Sequence, residues 1–109
     1  MKDHNFYKLK MSKFFELLES IARSSINKVK EILSDEDTNI QETLAEEDAT
    51  KYTPLFHACF HQNEEFGYEV VKMMLEKGAD PFHLDKNGQD VIYYLAKDGN
   101  IFFIQEKTK

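Results

Sequence analysis

The chain has a single cysteine, no tryptophan, two prolines and four glycines in 109 residues. One cysteine closes no internal disulfide, so the fold is not a disulfide-stapled scaffold, and a reducing compartment, the cytosol, is expected. The glycines are isolated turn or stop residues, which leaves no glycine-rich loop to cradle a phosphate. No apolar run approaches the ~20 residues needed to cross a bilayer, so no membrane association is expected. The opening stretch MKDHNFYKLKMSKFF carries lysines without a continuous apolar segment or a small-residue cleavage site, and a secretory signal is not expected from it.

What is present is an ordinary apolar content and an uneven charge. Hydrophobic residues make up 41% and charged residues 31%, too apolar for a disordered chain and short enough for one domain. The formal charge is -6, yet the segment SDEDTNIQETLAEED, residues 34–48, holds seven acidic residues and no lysine or arginine. Without it the chain has 13 acidic against 14 basic residues, a net of +1. The acidity is thus one local patch, read either as a solvated connector or as a field that steers a protein partner with a basic surface. It disfavours nucleic acid.

Helical periodicity starts after a lead-in at residues 1–11. Phe14, Leu17, Leu18 and Ile21 fall on one helical face from Ser12 onward, and the break Arg23-Ser24-Ser25 offers serine caps to a second helix bearing Ile26, Val29, Ile32 and Leu33. Thr53 is placed to cap a third helix, with Pro54 at its first position and Leu55, Ala58 and Cys59 inward. After a polar loop, HQNEEFG, a fourth helix buries Val70, Val71, Met74 and Leu75 and stops at Gly78. ADPFHLDKNGQ reads as extended chain with a tight turn at Asn87-Gly88. A helix near Asp90 presents Val91, Ile92, Leu95 and Ala96, and IFFIQEKTK is expected to add a last short one.

Two of these helix pairs align residue for residue. DATKYTPLFHAC and DKNGQDVIYYLA correspond from Asp48 against Asp85 to Cys59 against Ala96, 37 positions apart. A fixed-period helix–turn–helix unit is the mark of a stacked array, in which each pair buries a face only under its neighbours. With Asp48, Thr53-Pro54-Leu55, Ala58-Cys59, Val70-Val71, Met74-Leu75, Gly78-Ala79-Asp80 and Asp85-Lys86-Asn87-Gly88, the chain resembles the ankyrin-repeat family. The resemblance implies an all-α solenoid of stacked antiparallel helix pairs with turn-rich connectors over residues 12–109, in units of about 12–41, 48–84 and 85–109. The first and last are degenerate caps. Three departures stand out: Phe56 occupies the place of the family's motif histidine, with His57 one residue later; Lys51 stands where the turn glycine is expected; and two insertions fall at 42–47 and within 62–68.

Chemistry is thin. On a helix continuing from Pro54, His57 and His61 would share a face while Cys59 lies about 200° from His57, so three ligands do not converge. A metal-dependent activity at His57 and His61 is the minor alternative. Cys59 takes the family's small buried alanine position and reads as a small hydrophobe, not a nucleophile. No enzyme, metal or cofactor is expected. The resemblance implies instead a protein–protein interaction module whose turn tips and first helices contact a partner. The residues it carries over for that role are Thr50, Tyr52, Phe60, His61, Lys86, Asn87, Gln89 and Lys97. A small inhibitor, an immunity-type protein or an adaptor acting by stoichiometric binding would fit, and the alternative is a structural subunit of a larger assembly.

Overall fold

The computed structural model describes residues 12–36 and 38–97. The lead-in at 1–11, Asp37, and the short helix expected within 101–109 lie outside the described residues. The described chain forms six helices and no strand: α1 (Lys13–Ala22), α2 (Ile26–Leu33), α3 (Ile40–Ala45), α4 (Pro54–Cys59), α5 (Glu64–Glu76) and α6 (Val91–Lys97). They stack in two layers. α1, α4 and α6 form an inner row, α2 and α5 pack behind α1 and α4 as an outer row, and α3 lies against both α1 and α4.

One core runs through the stack. Leu17 and Ile21 of α1, Val29, Ile32 and Leu33 of α2, Leu55, Phe56 and Ala58 of α4, Val70, Val71 and Met74 of α5, and Val91 and Leu95 of α6 are all buried. These are the faces the 3.6-residue period selects, so the apolar pattern and the stacking agree. Ala96 is the exception in α6: it is exposed, because the inward turn of that short helix is already filled by Val91 and Leu95.

The helix ends differ from expectation in two places. Ser12, Asn39 and Asn63 each accept a backbone N–H of the first turn, and the Asp90 Oδ1 accepts Tyr93 N–H at 2.9 Å. Ser25 and Thr53, however, make no side-chain cap hydrogen bond. At α4 the Thr53 carbonyl, not its hydroxyl, takes the Phe56 N–H at 3.0 Å, and Pro54 at the first position has no N–H to satisfy. Gly78, at φ +101°, ends α5 as anticipated.

Both insertions contribute helix. The acidic connector is not a loop: Ile40, Thr43 and Leu44 of α3 are buried, and the Gln41 side chain donates to Lys77 C=O at 3.0 Å, tying the insertion to the end of α5. The stretch at 62–68, read as a polar loop, instead lengthens α5, which begins at Glu64 under an Asn63 cap. Gly67 makes that extension fit. A Cβ there would lie 2.7 Å from Ala58 C=O, so the missing side chain lets α5 cross the end of α4 at backbone contact.

Two substitutions test these local constraints in opposite directions. Gly67→Ala gains helix propensity of ~1 kcal/mol but overpacks against a carbonyl that has little room to move, for a net loss of about 1–2 kcal/mol in urea denaturation. Lys51 holds φ +66°, the left-handed conformation that Gly88 holds at +75° in the next unit. Lys51→Gly relieves it, with an expected gain of about 0.5–1 kcal/mol after the extra entropy of the unfolded glycine. A stabilised Gly67→Ala or a destabilised Lys51→Gly would contradict these assignments.

Candidate functional site

The connectors before α4 and α6 are tight turns built around aspartate. Asp48 Oδ1 accepts the N–H groups of Thr50 and Tyr52 at 2.9 and 3.0 Å, and Oδ2 lies 2.9 Å from His57 Nε2. Asp85 repeats the arrangement: Oδ1 accepts Asn87 and Gln89 N–H at 2.8 and 2.9 Å, and Oδ2 accepts the Tyr94 hydroxyl at 2.5 Å. Each turn is closed by its own backbone pair, Asp48 N–H to Tyr52 C=O and Asp85 N–H to Gln89 C=O. His57 and Tyr94 occupy the same place in successive units and perform the same task with different donors.

These bonds set the electrostatics. Burial works to raise both aspartates, but for Asp48 the N–H groups of Tyr52 and Thr50 together with His57 outweigh it and hold the carboxyl below its ordinary value. For Asp85 the Tyr94 hydroxyl and the Gln89 and Asn87 amides do the same. Donation to that carboxylate, aided by desolvation, pushes the Tyr94 phenol up to about 12.

Neighbouring units are joined by polar links. Lys86 N–H donates to Thr50 C=O at 3.1 Å, connecting one turn tip to the next. His61 Nδ1 accepts Asn63 N–H, so Nε2 carries the proton and donates to the Ser24 hydroxyl at 3.0 Å. His83 Nε2 stands 2.7 Å from Glu47 Oε2, within ion-pair distance but off a hydrogen-bonding line. In the family, the motif histidine helps join neighbouring loops. Here Phe56 stands in its place, buried at 1% exposure, and the joining falls to the Lys86 amide, His61 and His83.

The turns and inner helices together present an aromatic face. Tyr52 stacks on Phe56 at 5.0 Å and meets Phe60 edge-on at 5.1 Å; Phe60 in turn meets Tyr94 at 5.2 Å, and Tyr94 meets Tyr93 at 5.2 Å. Phe56 is the buried floor, Tyr52 and Tyr94 are half-buried, and Phe60 and Tyr93 are 41% and 43% exposed. Phe60 therefore belongs to this face.

The sequence-predicted residues separate into three groups. Tyr52 and Phe60 meet. Thr50, Lys86, Asn87 and Gln89 lie on the turn tips, where the Thr50, Asn87 and Gln89 amides serve the aspartates; Lys97 is exposed at the end of α6. His61 leaves the group: its ring packs on Phe66 at 4.6 Å and its nitrogens serve Ser24 and Asn63. Tyr93 and Tyr94 were not anticipated, although the 37-residue offset already placed Tyr94 against His57.

Alternative chemistry has little to work with. α4 ends at Cys59, so His57 and His61 do not share a helical face, and each has its own partner. Among the described residues no three His, Cys, Asp or Glu side chains are grouped to hold a metal. Cys59 is largely covered, and desolvation pushes its thiol up to about 12, far from a thiolate nucleophile. No described helix is long and apolar enough to cross a membrane.

Comparison with known families agrees with this architecture. Residues 50–86 match the family model described as Ankyrin repeat. The match covers the central repeat unit, and the all-helical architecture of the described residues is consistent with an ankyrin helical-repeat fold. Ankyrin repeats generally mediate protein–protein interaction and are generally non-enzymatic. No curated protein matches the chain.

The depressed aspartates carry a pH signature. A carboxyl held low in the fold stabilises it fully above the ordinary carboxylate range, about pH 4, and that contribution is lost as pH falls through the folded value. Wild-type protein should lose stability on acidification below about pH 4. An Asp48→Asn/Asp85→Asn variant, weaker at neutral pH, should lose less over the same interval. Urea midpoints measured across that range decide it: an equal acid drop in both proteins would deny these two turns their role.

Proposed function

We propose that this chain is a non-catalytic binding module that docks one protein partner stoichiometrically against the face formed by Tyr52, Phe60, Tyr93 and Tyr94. The observation that carries this reading is the contiguous run of rings across two repeat units, with Phe60 and Tyr93 exposed above a floor of Phe56. Aromatic anchors on a preorganised surface supply much of the energy at protein interfaces, and little side-chain entropy is lost when the rings are already held. The inner helices and the aspartate turns provide that rigidity. An inhibitor, an immunity-type protein or an adaptor would all use the face in this way.

The acidic connector contributes less free charge than its composition suggests. Asp35 pairs with Lys13, and Asp48 is held within its own turn. A basic partner surface would have Glu36, Glu42, Glu46 and Glu47, all exposed, as its main attraction.

The test is capture of the partner from host lysate by three proteins. Wild type and Phe82→Ala, an exposed aromatic elsewhere, should retain one partner at equal stoichiometry. Phe60→Ala/Tyr93→Ala should weaken retention at least about tenfold, roughly 1.4 kcal/mol or more for removing two anchors. Undiminished retention by the double variant would remove the aromatic face as the docking site.

A further inference from the structure

Three exposed lysines rim the aromatic face of a chain whose net charge is -6. Lys51 and Lys86 are exposed on adjacent turn tips, which the Lys86 amide joins to Thr50 C=O. Lys97 is exposed on α6, three and four residues beyond Tyr94 and Tyr93 and hence on their side of the helix. Among the described residues none of these three ammoniums has an ion-pair partner. Lys13, Arg23 and Lys28 are each engaged by a carboxylate, and the other exposed lysines without one among the described residues, Lys30, Lys72 and Lys77, belong to the outer row, on α2 and at α5.

The carboxylates of the same turns are directed elsewhere. Asp85 is buried beneath Tyr94 and the Asn87 and Gln89 amides; Asp48 faces His57 and two amides; and Asp90 accepts the Tyr93 amide. A partner approaching the rings therefore meets unpaired cations, while the turn aspartates are already occupied. Asp48 and Asp85 remain ionised, so the face is cationic at its exposed rim and not in its total charge.

We propose that the segment docked on this face is an acidic peptide stretch of the partner, carrying an aromatic or large aliphatic side chain for the Phe60–Tyr93 surface and carboxylates for Lys51, Lys86 and Lys97. The inference rests on the aromatic face being the docking site and names its occupant. Charge complementarity of this kind sets partner choice and encounter rate more than total affinity. Lysine ammoniums on flexible stems accept carboxylates in many orientations, which suits an acidic stretch without fixed bidentate geometry. A nucleic-acid polyanion does not fit, since three lysines stand against the repulsion of the net negative charge.

The experiment selects a random-peptide phage library on the immobilised full chain, then measures the enriched peptides by fluorescence anisotropy. The parallel proteins are Lys51→Glu/Lys86→Glu/Lys97→Glu and Phe60→Ala/Tyr93→Ala. The expected result is net-negative peptides bearing an aromatic residue or leucine, weakened at least about tenfold by either variant and by added salt. Neutral or basic peptides that depend on Phe60 and Tyr93 but not on the lysines would overturn the acidic occupant while leaving the docking face. Enriched peptides indifferent to both variants, or no enrichment, would overturn the inference, and indifference would remove the aromatic face as well. Circular dichroism of each variant checks that the helices are intact, and Lys51→Gln/Lys86→Gln/Lys97→Gln, which should show a smaller loss, separates lost attraction from added repulsion.

Discussion

A carboxylate that collects two backbone amides and one side-chain donor is the constraint on which this structure depends. A turn of five residues has more N–H groups than its own carbonyls can serve, and a single aspartate oxygen takes two of them at once. The second oxygen then needs a donor from the following helix. That requirement anchors the turn to α4 or α6 and sets the angle at which each tip projects. The aromatic face follows, since Tyr52 lies on the turn and Phe56 and Phe60 lie on or beside the helix that the turn is fastened to.

Stacking supplies the rest. Inner helices pack on inner helices and outer on outer, so no unit buries its apolar face alone. The contacts between units combine shared apolar surface with a few directed bonds, His61 to Ser24 and the Lys86 amide to Thr50 among them. Gly67 controls the spacing within the central unit, because α5 comes as close to α4 as backbone atoms allow.

Much of this was legible in the sequence, and the gaps have physical causes. The apolar period identified the faces of α1, α2 and α5, and Pro54 and Gly78 bounded their elements, because burial and backbone restriction act locally. The insertions were read as loops because short polar stretches mask their helicity: α3 buries only Ile40, Thr43 and Leu44 amid acidic residues, and α5 gains its first turn from an Asn63 cap and a glycine. His61 was grouped with Tyr52 and Phe60 by proximity in the chain, but the helix ends at Cys59 and turns that ring toward Ser24. Tyr94 was missed for a different reason. The offset showed where it lies, yet only the pairing of its hydroxyl with Asp85 reveals that it shares a task with His57.

That shared task separates two kinds of inheritance within one repeat. The slot beside each turn aspartate asks for a proton donor at a given reach and is indifferent to the ring that carries it. Imidazole and phenol both satisfy it, but they leave different bodies outside: His57 meets Tyr52 edge-on, whereas Tyr94 reaches across to Phe60 and Phe56. A single exchange at this position therefore alters the outer relief of the array while the turn beneath it keeps its form. The scaffold has a built-in site of variation, where new surfaces arise without a new fold.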